Sequence, residues 1–139
     1  QGGWQPVIDD PLTLDRLAVK RLILCSGKVY YDLLSSPRRA ERTDIAIARL
    51  EQLYIFPAGE VAELIKSYPK LEDVVWLQEE PENMGAWDFA RPKLQDQLGG
   101  CGPLRYVGRP RASNPSEGST AWHVVNQNAL VERAFGEEE

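Results

Sequence analysis

Residues 74–87 read V-V-W-L-Q-E-E-P-E-N-M-G-A-W, an apolar run that turns into a polar loop. The first four residues are typical of a buried strand. The chain becomes polar at Gln78, and Pro81 favours an end of the strand because proline cannot donate to the hydrogen-bond ladder. Two glutamates, a rigid proline and a permissive glycine then precede a large aromatic residue. This combination predicts a strand-end loop that contacts another surface.

Strand-like and helix-like segments alternate on both sides of this stretch. Branched and apolar residues predict strands at 19–25, 44–50, 74–77 and 104–108. Apolar positions spaced three and four residues apart predict helices at 29–34, 57–68, 87–98 and 123–135. The alternation predicts an α/β fold with three αβα layers around a mostly parallel sheet.

The segments between and beyond these elements complete the predicted organisation. We predict an N-terminal linker segment at 1–18, one domain at 19–136 and an acidic tail at 137–139. Ser26 is predicted to be the N-cap of the first helix, since its side chain can accept a backbone hydrogen bond. The basic stretch at 35–42 is predicted to be a solvated loop.

Composition and charge exclude several broad classes of protein. The 139 residues are 42% hydrophobic and 27% charged, as in an ordinary globular domain. A net charge of −5 disfavours a nucleic-acid partner, and no apolar run approaches the roughly 20 residues of a membrane span. Cys25 in an apolar strand and Cys101 in a Gly-rich loop favour a reducing compartment. Because the chain starts at Gln1 without a signal-peptide pattern, we expect a piece of a longer protein or a trimmed form.

Residues with catalytic potential are few. The S-G-K turn at 26–28 lacks the remainder of a G-x-x-x-x-G-K-[S/T] phosphate loop, so a structural turn is favoured. His123 is the only histidine, which rules out a multi-histidine site, and its pairing with Cys25 is disfavoured because Cys25 should be buried. Glu79 and Glu80 are adjacent on a strand and point to opposite faces, which is poor geometry for an acid/base pair. We therefore predict no catalytic, cofactor-binding or metal-binding residue in this chain.

Basic residues near two strand ends are the candidate anion contacts. Lys28 follows the first predicted strand, and Arg109 and Arg111 follow the last one. The carboxyl ends of parallel strands share one edge of the sheet, where ligands bind in α/β proteins. A solvated surface is the favoured interpretation, and a free-standing module that binds an anion or CoA is the functional alternative.

Five blocks of the sequence carry a resemblance to a known family. They read V-K-R-L-I-L-C-S-G-K-V-Y-Y-D-L-L (19–34), D-I-A-I-A-R-L-E-Q-L-Y-I-F-P (44–57), W-L-Q-E-E-P-E-N-M-G-A-W (76–87), L-R-Y-V-G-R-P (104–110) and N-P-S-E-G…H (114–123). In order and spacing they resemble the C-terminal domain of the thiamine-diphosphate-dependent decarboxylating component of 2-oxoglutarate dehydrogenase. The sister 2-oxoadipate dehydrogenase component has similar blocks, so the substrate stays open between the two.

The resemblance implies a transketolase C-terminal domain-like fold inside a larger enzyme. In that family, thiamine diphosphate and Mg²⁺ lie between two other domains, and no cofactor is expected to bind this chain alone. The whole enzyme would decarboxylate 2-oxoglutarate and pass a succinyl group to a lipoyl carrier. The implied partners are the remainder of the enzyme, a second subunit in a homodimer and the lipoyl-bearing succinyltransferase core. The implied location is the cytoplasm of a bacterium or the mitochondrial matrix of a eukaryote.

The resemblance also gives the strand-end loop a role. If the chain is a non-catalytic assembly domain, this loop is its predicted interface with the rest of the enzyme. The predicted interface residues are Glu79, Glu80, Asn83, Gly85 and Trp87. The alternatives are the corresponding domain of a 2-oxoadipate dehydrogenase component and the free-standing anion- or CoA-binding regulatory module.

Overall fold

Strands and helices alternate through residues 5–12, 15–100, 102–109 and 120–136, which the computed structural model describes. The strands are β1 (Val7–Ile8), β2 (Arg21–Cys25), β3 (Ile45–Leu50), β4 (Asp73–Pro81) and β5 (Leu104–Arg109). The helices are α1 (Val29–Ser35), α2 (Pro37–Glu41), α3 (Ala58–Lys66), α4 (Trp87–Leu98) and α5 (Thr120–Ala134). In the described part of the chain, no helix is long and apolar enough to span a bilayer. Cys101 and the acidic tail at 137–139 lie outside the described residues.

The five strands form one sheet in the order β1-β3-β2-β4-β5. β2 pairs in parallel with β3 and β4, and β5 pairs in parallel with β4. Only β1, at one edge, is antiparallel to its neighbour β3. The prediction of a mostly parallel α/β sheet is confirmed.

Helices cover both faces of the sheet because the central strands are apolar on both sides. In β2, Leu22 and Leu24 pack in the core that contains residues of α3 and α4. Ile23 and Cys25 point the other way and pack with residues of α1 and α5. Alternate residues of a strand point to opposite faces, so one apolar run serves two cores. The predicted three-layer αβα arrangement is confirmed.

The N-terminal segment joins the edge of the sheet, which the sequence did not predict. Val7 and Ile8 pair with the end of β3 as β1. Two residues further on, the buried Asp10 accepts a 2.8 Å hydrogen bond from the backbone N–H of Ile47 in β3. Asp10 also forms a buried ion pair with Arg39 of α2. Part of the predicted linker therefore belongs to the folded sheet, while the boundary at residue 18 stays a prediction.

A second tether starts from the preceding residue, Asp9. The hydroxyl of Tyr68, just after α3, donates to Asp9 at 2.7 Å, and Arg16 forms an ion pair with the same carboxylate. Burial alone would raise the pKa of Asp9, but the hydrogen bonds from Arg16 and Tyr68 outweigh it and lower the pKa below its ordinary value. The stabilisation from Asp9 is therefore present above its unfolded pKa and is lost as the pH falls through the lowered folded value.

The stretch at 35–42 is not only a loop, so that prediction is wrong. It contains the short helix α2, whose N-cap is Ser36. The Ser36 hydroxyl accepts a 3.2 Å hydrogen bond from the N–H of Arg38, and Pro37 occupies the first helical position, where its missing N–H does no harm. Basic side chains misled the interpretation, because a short helix can carry charge on its exposed face.

The start of α1 also differs from the prediction. Lys28 is the N-cap residue, and it makes no side-chain capping bond. Gly27 adopts a φ of 82°, a left-handed conformation that glycine tolerates, between Ser26 and that cap. The Ser26 hydroxyl is therefore too far back along the chain to cap the helix.

Candidate docking surface

The parallel strands end along one edge of the sheet, and the segments that follow them form the candidate site. β2 ends at Cys25, β3 at Leu50, β4 at Pro81 and β5 at Arg109. In parallel α/β sheets this carboxyl edge is the usual place for ligand and partner contacts, because its loops can vary without disturbing the core. The predicted interface begins in the last part of β4, at Glu79 and Glu80, and continues into the loop that follows this strand.

Gln78 organises the loop after β4. Its side chain is buried, with only 2% exposed, and its amide oxygen accepts hydrogen bonds from the Trp76 indole N–H at 2.9 Å and the Trp87 backbone N–H at 3.1 Å. Its amide nitrogen donates to the carbonyls of Glu80 at 3.1 Å and Pro81 at 2.9 Å. Both donors and both acceptor positions of the amide are therefore used. One buried side chain joins the strand, the loop and the start of α4.

The loop passes directly over this amide at Gly85. A Cβ atom at this position would lie 2.8 Å from the amide nitrogen of Gln78, closer than real Cβ contacts. The glycine is needed for close approach of the backbone, and not for a left-handed conformation. We predicted Gly85 as an interface residue from the sequence, but not the role of Gln78 in holding the loop. The only indication of Gln78 in the sequence is that a polar amide side chain directly follows an apolar run.

Substituting Gly85→Ala should therefore lower the free energy of unfolding by about 1–3 kcal/mol, because the methyl group must displace the buried amide. Urea unfolding of the 139-residue chain would measure the change. Gly59→Ala is the matched control, since Gly59 lies in α3 with nothing within 4 Å of its Cβ position. The control should leave stability unchanged or raise it by up to about 1 kcal/mol, since alanine favours a helix. Equal effects of the two substitutions would contradict the close-approach argument.

Some of the predicted interface residues are exposed, and others are buried beneath the loop. Glu80 and Asn83 are exposed, whereas Glu79 and Gly85 are partly buried. Trp87 is only 5% exposed and lies in the core, with its ring 5.3 Å from that of Tyr106. Trp87 therefore anchors the loop from beneath. An interface role for these residues stays a prediction.

Large apolar side chains are exposed along the same edge. Five of the seven large exposed apolar residues in the described ranges follow the carboxyl ends of β2, β3 and β4. They are Tyr31, Tyr54, Ile55, Met84 and Phe89. Tyr54 and Ile55 are extreme cases, with 84% and 73% of their surface exposed. Clustered apolar exposure marks an interaction site more reliably than a single exposed residue does.

Three of these five exposed residues, Tyr54, Ile55 and Phe89, line one groove. The groove has a volume of about 340 Å³ and lies between the β3–α3 loop and the outer face of α4. Its lining residues are Tyr54, Ile55, Phe56, Ala58, Phe89, Lys93, Asp96 and Gln97. We call this set the apolar groove. This groove was not predicted from the sequence, because apolar residues beside a strand are normally assigned to the core.

The candidate anion contacts do not converge. Lys28 is exposed after β2, and Arg109 ends β5, so β4 lies between their strands. The Arg109 guanidinium donates to the carbonyl of Glu79 and so helps to hold the strand end. Arg111 lies outside the described residues. An anion-binding role for these three residues stays a prediction.

Cys25 is not a nucleophile in this environment. Burial raises the pKa of the Cys25 thiol to about 12, so almost no thiolate forms at neutral pH. The thiol instead lies 3.7 Å from the carbonyl oxygen of Ala48, to which it donates a weak hydrogen bond. The side chain of His123, the candidate partner, lies outside the described part of the chain. The carboxyl edge thus presents a groove and exposed apolar surface, and among its described residues we find no activated nucleophile.

Comparison with known proteins gives the same result over nearly the whole chain. The family model described as 2-oxoglutarate dehydrogenase C-terminal matches residues 1–135. The chain is 44% identical over 135 residues to the 2-oxoglutarate dehydrogenase E1 component of Cupriavidus necator, with 97% of this chain and 14% of that protein covered. It is 42% identical over 134 residues to the E1 component of Haemophilus influenzae, with coverage of 96% and 14%. The chain therefore spans 14% of the length of each of these relatives.

Proposed function

Because the chain belongs to the 2-oxoglutarate dehydrogenase C-terminal family, we propose that it is the assembly and dimerisation domain of an E1 component. The carboxyl edge of its sheet would dock on the remainder of that enzyme chain or on the second subunit of a homodimer. The whole enzyme would decarboxylate 2-oxoglutarate oxidatively and transfer a succinyl group to the lipoyl-bearing succinyltransferase core. A 2-oxoadipate dehydrogenase component is the alternative parent. The proposed location is bacterial cytoplasm, or the mitochondrial matrix in a eukaryote.

The observation that carries this proposal is the exposed apolar surface of the carboxyl edge. Tyr54 and Ile55 project from the β3–α3 loop with most of their surface in solvent. Burying a side chain of this kind is worth about 1.5–3 kcal/mol, which is available only if another surface covers it. Since the chain spans 14% of the length of its relatives, we infer that the covering surface belongs to the remainder of the enzyme.

The loop after β4 supports the proposal because it is already ordered. Gln78 holds the backbone on both sides of the turn through three hydrogen bonds, and a fourth joins it to the Trp76 indole. A surface that is rigid before association loses less conformational entropy when a partner binds. The exposed side chains of Glu80 and Asn83 would then supply polar contacts beside the apolar groove.

Thiamine diphosphate and Mg²⁺ belong to the proposal only through the remainder of the enzyme. A Mg²⁺–diphosphate site needs oxygen ligands grouped around the metal. Among the described residues, no group of three or more His, Cys, Asp or Glu side chains could hold a metal ion. These residues do not fit the cofactor, so we assign no step of the decarboxylation to them.

The test is a double substitution, Tyr54→Ser with Ile55→Ser, in the full-length E1 component that carries this chain. Loss of about 3 kcal/mol of apolar burial should raise the dissociation constant of the subunits roughly 100-fold, measured by sedimentation during dilution. In the 139-residue chain alone, the same change should leave the free energy of unfolding nearly unaltered, because both side chains are exposed.

Leu17→Ser is the matched control for this experiment. Leu17 is 63% exposed, but it lies in the N-terminal segment and not at the carboxyl edge. We expect it to change the subunit dissociation constant less than about threefold. Unaltered dissociation in the double variant, or an equal rise in the control, would argue against docking through the apolar groove.

A further inference from the structure

A cavity lies at the opposite, amino-terminal edge of the sheet, beside the end of α5. It has a volume of about 320 Å³ and is formed by β2, β4, β5 and the residues that end α5. Its lining residues are Arg21, Val75, Arg105, Tyr106, Val107, Arg133 and Gly136. We call it the arginine cavity. Three guanidinium groups therefore surround one small cavity, although the net charge of the chain is −5.

One of these guanidinium groups is held in a fixed position. Arg21 donates to both carboxylate oxygens of Asp73 at 2.9 Å, and a third bond of 3.1 Å goes to the carbonyl of Ala134 in α5. Arg105 contacts the same carboxylate at 3.0 Å, although more than half of its side chain is exposed. Two arginines thus share one carboxylate, so the described ion pairs of these three residues leave one positive charge in excess.

Some hydrogen-bond donors of these arginines have no acceptor among the described residues. A guanidinium carries five N–H groups. Three of those on Arg21 are hydrogen-bonded to described residues, which leaves two, and the contact of Arg105 with Asp73 is an ion pair. Arg133, the third arginine, makes one long bond of 3.4 Å to the carbonyl of Gly108. Among the residues that the structure describes, the cavity therefore has three guanidinium groups beside one paired carboxylate, Asp73, which favours an anionic ligand.

Two of the carbonyls at the end of α5 are already bonded to arginines. The last carbonyls of a helix carry partial negative charge and would repel an anion. Here Arg21 binds the carbonyl of Ala134, and Arg42 binds that of Phe135 at 2.5 Å. Arg42 also forms an ion pair with Asp44 at 3.0 Å.

We propose that the arginine cavity binds a phosphate-type oxyanion, either inorganic phosphate or the phosphate group of a small metabolite. The arginines come from β2, β5 and α5, so they approach the cavity from different directions. A tetrahedral oxyanion presents acceptor oxygens in several directions, whereas a planar carboxylate presents two in one plane. The volume lies at the lower end of the range of roughly 300–1,000 Å³ for ligand pockets, which suits a small ligand.

Calorimetric titration of the 139-residue chain with inorganic phosphate tests the proposal, with acetate at matched ionic strength as the second arm. We expect saturable binding of phosphate with a dissociation constant of about 1 mM, and acetate binding at least about tenfold weaker. Phosphate and a small phosphomonoester, titrated in parallel, distinguish the free ion from a metabolite. Absence of saturation by phosphate, or equal affinity for acetate, would overturn the proposal.

Three variants locate the binding. Arg105→Gln and Arg133→Gln should each weaken phosphate binding at least about tenfold, whereas Arg91→Gln, at an exposed position of α4, should leave it unchanged. Thermal unfolding establishes whether each variant is folded. If Arg105→Gln does not fold, the affinity of Arg133→Gln for phosphate is the deciding measurement. An equal loss in Arg91→Gln, or no loss in the cavity variants, would show that phosphate does not bind there.

Discussion

Replacing Gln78 with alanine should lower the free energy of unfolding by about 3 kcal/mol, because two buried donors lose their acceptor. These donors are the indole N–H of Trp76 and the backbone N–H of Trp87, both of which bond to the Gln78 oxygen. The carbonyls of Glu80 and Pro81 lose their donor in the same substitution. Truncation also leaves space beneath the loop, so water can repair only part of the loss.

Urea unfolding of the 139-residue chain measures this effect, and the melting temperature should fall by roughly 10 °C. Gln95→Ala is the matched control, since Gln95 is exposed on α4 and its truncation should change stability by less than about 0.5 kcal/mol. Adding Gly85→Ala to Gln78→Ala should have less than its usual effect, because the methyl group no longer meets the amide. Full additivity of the two substitutions would count against direct contact between them.

The second large effect is expected from Asp73→Asn at the amino edge of the sheet. Asp73 is the only partner carboxylate of Arg21 in the described structure, and side-chain exposure is just 10% for Asp73 and 20% for Arg21. Removing the negative charge leaves a largely buried guanidinium without its counter-ion, and Arg105 loses the same partner. We expect the free energy of unfolding to fall by about 3 kcal/mol.

Asp44→Asn provides the comparison, because the pair between Asp44 and Arg42 is more exposed, at 40% and 33%. A pair in that environment should contribute less than about 1 kcal/mol and should weaken further in high salt. Chemical denaturation at low and high sodium chloride would separate the two variants. Similar losses in both, with the same salt dependence, would mean that burial does not set the strength of the Asp73 pair.

The order of elements could be read from the sequence because apolar patterning is local. The apolar run from Leu22 to Cys25 lies in β2, and the helical spacing of Val61, Leu64 and Ile65 lies in α3, although the predicted helix ran to residue 68 and α3 ends at Lys66. β1 could not be found in this way, since two residues have no periodicity. Its position depends on Asp10 reaching Ile47, a contact between residues 37 apart in sequence.

The candidate site was predictable only in part. The position of Glu79 and Glu80 at a strand end followed from the apolar run that precedes them. Gln78 was missed because its burial depends on two tryptophans from different elements, a tertiary property. Tyr54 and Ile55 are the reverse case, apolar residues that are exposed. Their exposure was not predicted because hydrophobicity in a sequence does not show which apolar residues the fold leaves on the surface.

The contact between Asp10 and Ile47 has a consequence for aggregation. A bare strand edge presents unpaired N–H and C=O groups to which another chain can add by strand pairing. β1 pairs with only two residues of β3, and the Asp10 carboxylate takes the N–H of Ile47 beyond them. The N-terminal segment thus closes an edge that would otherwise invite uncontrolled sheet growth. A shortened form of the chain should keep residues 5–12 to remain monodisperse at high concentration.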